Sequence, residues 1–275
     1  MDTQIVITYV VCDEVIKAMG VEDDKQVRMS TAEVITFSIM SGQLFGGNHR
    51  KTCWFCRQSR YFPSLLSESR LNRRLHKIPW PIWMAVFRFL ALIFRKANSS
   101  SEYAVDSFPV ECCKKQRIDR RKFFLGKEYI GYAPSKQQYF CGIKVHMVVT
   151  CQGGPVEMAM EPACRNDVAV LWTMELDLPP QSKLYADGAY NCYDLEDVLA
   201  EESCIELLAR RKHPNSTRKR TEDKEKAISS RRQIVETAFS CITQLLPRSI
   251  RASTSLGFSI RIMSAILAYS LSRIT

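Results

Sequence analysis

Histidine is scarce in this chain, with four in 275 residues. His49 and His76 lie nearest the one C-x-x-C, "CWFC" (Cys53, Cys56), but each stands alone, and no second such pair completes a zinc pattern. The pair therefore reads as two half-buried thiols. The eleven cysteines are odd in number and irregular in spacing. No signal-peptide pattern accompanies them and the chain is too long to need staples, so they read as reduced thiols of a cytoplasmic protein. Long apolar runs are missing too. The one membrane candidate, "IPWPIWMAVFRFLALIF" (78–94), is 17 residues long and carries Arg88 near its middle. That is the short limit for a span, and a buried or partner-facing helix starting after Pro81 is the better reading. Internal repeats and low-complexity tracts are absent. Acid is nearly absent from residues 50–96, where Glu68 faces eleven Lys and Arg.

What is present is otherwise ordinary: 46% apolar and 25% charged residues, enough for one large domain or two modest ones. Thirty-nine basic against 29 acidic side chains give a net charge of +10, which calls for a polyanionic partner, either nucleic acid or an acidic membrane surface. Beside the 50–96 stretch, "KKQRIDRRK" (114–122) and "RRKHPNSTRKR" (210–220) are also basic. Three such runs on one chain point to nucleic acid rather than to three solvated faces.

Residues 3–19 show helical spacing, and a second helix follows Ser30 or Thr31 as cap, with Glu33 in its first turn and Gly46-Gly47 as its stop. "PSLLSESRLNRRLHKI" (63–78) is a third, cationic helix that sets Arg70, Arg73, Arg74 and Lys77 about a turn apart. The serines of "ANSSSEY" (97–103) mark a boundary. Beyond it come β-type runs at 102–113, 139–149 and 154–163, a helix at 166–176 capped by Asn166, a strand at 183–187, a helix at 193–203 and a strand at 204–210. Two long helices close the chain, at 223–246 and 255–274. Strands in a run, then strands alternating with helices, predict a mixed α/β sheet covered by helices.

In "LYADGAYNCY" (184–193) a carboxylate stands where an apolar strand opens into a glycine turn. Asp187 is a good turn residue, but strand ends in α/β sheets are also where sites are built. Asp106, between Val105 and Ser107, is out of character inside a strand. Glu236 lies near the apolar stripe of the 223–246 helix, four residues after Arg232. An acid on the first strand, one after a later strand and one on a late helix form the ribonuclease-H-like arrangement. There, three carboxylates hold two divalent cations ~4 Å apart for in-line phosphoryl transfer. Oxygen ligands suit Mg²⁺ or Mn²⁺ rather than zinc.

The chain resembles the DDE transposases of bacterial insertion sequences, most closely the IS nine-eight-two group. "DEVIKAMG", "STAEVIT" and "SESRLNRRLH" resemble that group's helical N-terminal region. "DSFPV", "YFCGIKVHMVVTCQGGPVEM", "YADGAYN" and "RRQIVETAFSCI" resemble its catalytic core, and "RSIRASTSLGFSIRIMSAILAYSL" its C-terminal tail. The resemblance implies a helical DNA-binding region over 1–98 and a ribonuclease-H-like catalytic domain over 99–275. Asp106, Asp187 and Glu236 take the D-D-E roles as catalytic and metal-holding residues. Arg232 is the Arg of R-x-x-x-E and, with Arg70, Arg73 and Arg74, a DNA contact. Lys144 and His146 of "GIKVHM" belong to the resembling core. The fuller Y-x-x-R-x-x-x-E-x-x-x-x-x-x-K signature is incomplete, with Ser229 in the place of its Tyr and Thr243 in that of its Lys.

The implied activity is hydrolysis of a phosphodiester at an element end with two Mg²⁺ (or Mn²⁺) ions, followed by attack of the freed 3′-OH on target DNA. The implied partners are element-end and target DNA and further copies of the chain in the active complex, with no membrane. The implied location is the bacterial cytoplasm, on the nucleoid when bound. A DNA-binding derivative that has lost catalysis, or another two-metal nuclease on the same fold, are the alternatives.

Overall fold

The computed structural model describes residues 2–133, 137–211 and 216–274. Residues 212–215, inside the basic run 210–220, lie outside the described residues. In chain order the elements are α1 (Asp2–Ala18), α2 (Thr31–Phe45), α3 (His49–Ser59), α4 (Glu68–Lys77), α5 (Trp80–Ala97), β1 (Glu102–Lys114), β2 (Ile130–Ala133), β3 (Gln138–Thr150) and β4 (Pro155–Pro162). They continue with α6 (Asp167–Thr173), β5 (Lys183–Ala186), α7 (Tyr193–Ser203), β6 (Glu206–Ala209), α8 (Glu222–Leu245) and α9 (Ser255–Ser272), with short 3₁₀ turns at Lys115–Arg120, Lys127–Tyr129 and Gly188–Tyr190. Two compact units result: a helical one of Met1–Leu90 with Cys241–Thr275, and an α/β one of Ala91–Ser240.

The helical unit is built around α2, whose residues from Thr31 to Gly42 are nearly all buried. Its start is a full capping box: the Ser30 hydroxyl accepts from the Glu33 N–H at 3.1 Å, and Glu33 Oε2 accepts from the Ser30 N–H at 2.7 Å. Its end is Gly46 at φ 53°, a left-handed cap that glycine adopts without strain. α9 packs on α2, with the Ser38 and Ser264 hydroxyls joined at 2.7 Å. Residues 241–275 continue the catalytic region when the chain is read linearly; by packing they join the helical unit, because the apolar faces of α2 and α9 cover each other. α9 is long and apolar enough to cross a membrane, as the 78–94 run is not by itself, but most of it is buried inside this unit.

Four local readings change. α3 is a helix without a clear sequence signal; Asn48 caps it, and His49, Thr52, Cys53 and Cys56 form its buried face at helical spacing. Cys53 and Cys56 are free thiols, buried rather than half-buried. α4 begins at Glu68, after Pro63 and the turn that follows it. α5 begins one residue before Pro81, which occupies the first turn, where its missing N–H costs nothing.

The α/β unit carries a six-stranded mixed sheet in the order β2-β3-β1-β5-β6, with β4 sharing the outer edge of β3 with β2. β1, β3 and β4 are antiparallel neighbours, whereas β5 and β6 run parallel to β1. The fold is thus a mixed α/β sheet flanked by helices, as the order of strands and helices in the sequence predicts. β1 is the middle strand, and Val105, Val145, Met147 and Val149 are fully buried in the sheet. α8 lies against it through the ring of Phe239, whose centroid is 4.6 Å from that of Phe108.

Candidate active site

The register between β1 and β5 brings two acids together. Val105 pairs with Ala186 in a parallel ladder, so the next residue of each strand, Asp106 and Asp187, emerges side by side on the same face. β5 stops there and Asp187 opens the 3₁₀ turn Gly188–Tyr190. Side chains alternate along β1, so Asp106 shares its face with Phe108, which is the face that α8 covers. On α8, Ile228, Val235, Ala238 and Phe239 are buried. Arg232 and Glu236 are one turn apart beside that stripe.

Arg232 joins all three acids. Its Nη2 lies 2.9 Å from Asp106 Oδ2 and 3.1 Å from Glu236 Oε1, and its Nη1 lies 3.4 Å from Asp187 Oδ1. The three carboxylates do not all lie within 4.8 Å of one another as one group; the guanidinium is what connects them. Side-chain exposure rises from 12% for Arg232 and 18% for Asp106 to 39% for Asp187 and 55% for Glu236, so the cluster opens to solvent on its Asp187 and Glu236 side. Burial pushes the Asp106 carboxyl above its ordinary range, and the Asp187 charge adds to the rise. The Ser107 N–H (2.8 Å) and the Arg232 guanidinium pull the other way. The Nε–H of Arg232 is buried with no hydrogen-bond partner among the described residues.

Lys144 and His146 lie on the opposite face of the sheet, since His146 pairs with Ser107 and Lys144 with Pro109. There Lys144 Nζ is 3.0 Å from Asp167 Oδ1, and the Ser107 hydroxyl donates to the same oxygen at 3.2 Å. His146 Nδ1 is 3.1 Å from the buried Tyr190 hydroxyl. Burial pushes the His146 imidazole down to about 4, so the 3.9 Å approach of Asp167 to its Nε2 is not an ion pair near neutral pH. These groups back the first strand rather than joining the acids. Asp167 is the residue that sequence reasoning passed over. It follows the helix cap Asn166 and looks like ordinary first-turn acid, and only the tertiary fold sets it against Lys144.

The cationic residues divide by how they are used. Arg70 and Arg73 are exposed on α4 and, with Arg28 and Lys77, line a groove of the helical unit. Arg74 instead turns inward, 3.0 Å from Asp23 Oδ1 and 3.2 Å from the Met29 carbonyl. In the 210–220 run, Arg211 forms a buried bidentate pair with Glu196 at 2.5 and 2.8 Å, and Arg218 pairs with Asp197 at 2.7 Å. In 114–122, Arg121 is bound to the carbonyls of Ile118, Phe124 and Leu125.

A mixed sheet with acids on its middle strand, at the end of the parallel neighbour and on a covering helix defines a ribonuclease-H-like protein. Residues 96–247 match the family of the transposase DDE domain, more than half of the chain and all three acids, and the chain belongs to that family. At family level it is a DNA transposase, a class that works on DNA with divalent metal ions. No curated protein and no solved structure matches it.

Proposed function

We propose that the chain cuts phosphodiester bonds at the ends of an insertion sequence and joins the freed 3′-OH to target DNA, with Asp106, Asp187 and Glu236 as its catalytic carboxylates. The observation that carries this reading is the convergence of those three acids on the single guanidinium of Arg232.

The residues fit a pair of hard divalent cations, Mg²⁺ or Mn²⁺. All ligand atoms in the cluster are carboxylate oxygens, and the one cationic group among them already marks a place where positive charge is favoured. When bound, such ions supply activation of water for attack and neutralisation of charge on the phosphoryl oxygens. Asp106 and Asp187 would hold them from the sheet and Glu236 from the helix, on the side open to DNA. Arg232, released from balancing three acids, would turn a two-nitrogen fork toward a phosphate. The exposed Arg70 and Arg73 would hold backbone phosphates and make binding strongly salt-dependent.

The test is a labelled duplex carrying the inverted repeat that flanks the coding sequence, incubated with the protein, Mg²⁺ and a target plasmid. The expected products are a 3′-OH at the repeat end and its covalent joining to the plasmid. Cutting without joining would make the chain a nuclease, and binding without cutting a derivative that has lost catalysis.

A further inference from the structure

Far along β1 from Asp106, the fold brings a pair of consecutive cysteines against a third that is distant in sequence. We propose that Cys112, Cys113 and Cys141 form a binding site for a thiophilic d¹⁰ cation, Zn²⁺ or Cu⁺, separate from the carboxylate cluster. Their sulfur atoms all lie within 4.8 Å of one another, and this is the one group of three such ligands among the described residues.

The backbone explains why they converge. In the β1–β3 ladder Glu111 faces Gly142 and Cys113 faces Cys141, with the register shifting between them. Cys112 is therefore the extra residue of a β-bulge, where two residues of one strand oppose one of the other. A regular strand sends neighbouring side chains to opposite faces; the bulge lets two consecutive cysteines reach the same partner. The close strand approach depends on Gly142, because a Cβ there would stand 2.1 Å from the Val110 carbonyl oxygen and 3.1 Å from the Cys112 nitrogen.

The surroundings suit a soft cation. Cys141 is fully buried, whereas Cys112 and Cys113 are half-buried and give access from outside. The Arg121 guanidinium donates to the Phe124 carbonyl that also accepts from the Cys141 thiol, so its charge lies near the cluster and would offset part of the negative charge of a thiolate set. Sulfur ligands select Zn²⁺ or Cu⁺ over Mg²⁺. On binding, three S–H bonds break, three sulfur–metal bonds form and three protons pass to solvent, with no change of oxidation state. Zn–S bonds of about 2.3 Å place sulfurs roughly 3.8 Å apart in tetrahedral geometry. A spacing of that size lies within the 4.8 Å limit that the three sulfurs already keep, and Zn²⁺ would have a fourth position left to solvent. The cation would pin the bulge to β3 just before the Lys115–Arg120 turn.

The experiment uses the reduced full-length chain, stripped of metal and titrated with Cd²⁺ as an ultraviolet probe of thiolate binding, then with Zn²⁺ as competitor. One equivalent of Cd²⁺ should bind with a thiolate charge-transfer band and be displaced by Zn²⁺. Cys112→Ser/Cys113→Ser should weaken that equivalent by at least ~100-fold, the scale on which even outer-shell losses act. Cys53→Ser/Cys56→Ser should leave it unchanged. A second readout needs no variant: alkylation of all eleven cysteines, mapped by peptide mass spectrometry, should slow at Cys112 and Cys113 when Zn²⁺ is added. Equal alkylation with and without Zn²⁺, or a band that survives in Cys112→Ser/Cys113→Ser, overturns the site.

Discussion

Arg232 keeps only 12% of its side chain exposed among Asp106, Asp187 and Glu236, so its replacement should be felt in stability as well as in activity. Arg232→Met leaves the buried Asp106 without its cation. It should cost about 3 kcal/mol in buffer lacking divalent ions, less than a fully buried pair because two of the acids are open to solvent. Mg²⁺ should then raise the thermal midpoint of the variant more than that of the wild type; equal shifts would show that no cation replaces the guanidinium. His146 offers a pH test. Its imidazole is held down to about 4, whereas in the unfolded chain it titrates near 6.5. As pH falls from 6.5 toward 4 the unfolded state takes up a proton that the folded state refuses, so stability falls, by about 2 kcal/mol at pH 5. Urea unfolding of His146→Gln should show a shallower loss between pH 7 and 5; an unchanged slope would remove His146 as its source. At this scale Asp106 stands out in the sequence because a charge is out of character inside a strand, whereas Asp187 and Glu236 are marked only by their places, at a strand end and beside an apolar stripe. The inward turn of Arg74 and the Asp167–Lys144 pair were not, since both depend on partners 51 and 23 residues away.

α4 presents Arg70 and Arg73 outward and keeps Leu71 and Leu75 buried, so it has one polar face for a partner and one for packing. Arg70→Ala/Arg73→Ala should weaken DNA binding and reduce the slope of log K against log salt by up to about 2, with the fold unchanged. Arg74→Ala should instead lower the thermal midpoint, because it breaks the link to Asp23 and the Met29 carbonyl. Gel shifts over a salt series and thermal melts separate the two, and a double variant that binds as tightly as wild type would take α4 out of the DNA surface. Most elements could be read from periodicity, caps and the Gly and Pro stops. The short edge strand β2, of four residues, and α3, polar but for one narrow face, carry too little pattern to read. The bulge at Cys112 was hidden for another reason. A register shift belongs to a pair of strands and leaves no mark in either one alone.

For the molecule as a whole, the net charge of +10 and the family of residues 96–247 agree on a DNA partner. Much of the basic surface seen in sequence is nonetheless spent internally, on Glu196, Asp197 and backbone carbonyls. Charge alone therefore overstates how many side chains are free for phosphate. It also says nothing of which acids come together; the sheet's register does that for Asp106 and Asp187, to which we assign the chemistry as a proposal. The most direct test compares Asp106→Asn, Asp187→Asn and Glu236→Gln with the wild type. Each is assayed for Mg²⁺-dependent nicking of the element-end duplex beside a gel shift on the same DNA. Each substitution keeps size and removes one negative charge, so nicking should fall by orders of magnitude in all three while DNA binding persists. A variant of any one of these acids that nicks at the wild-type rate would contradict the assignment.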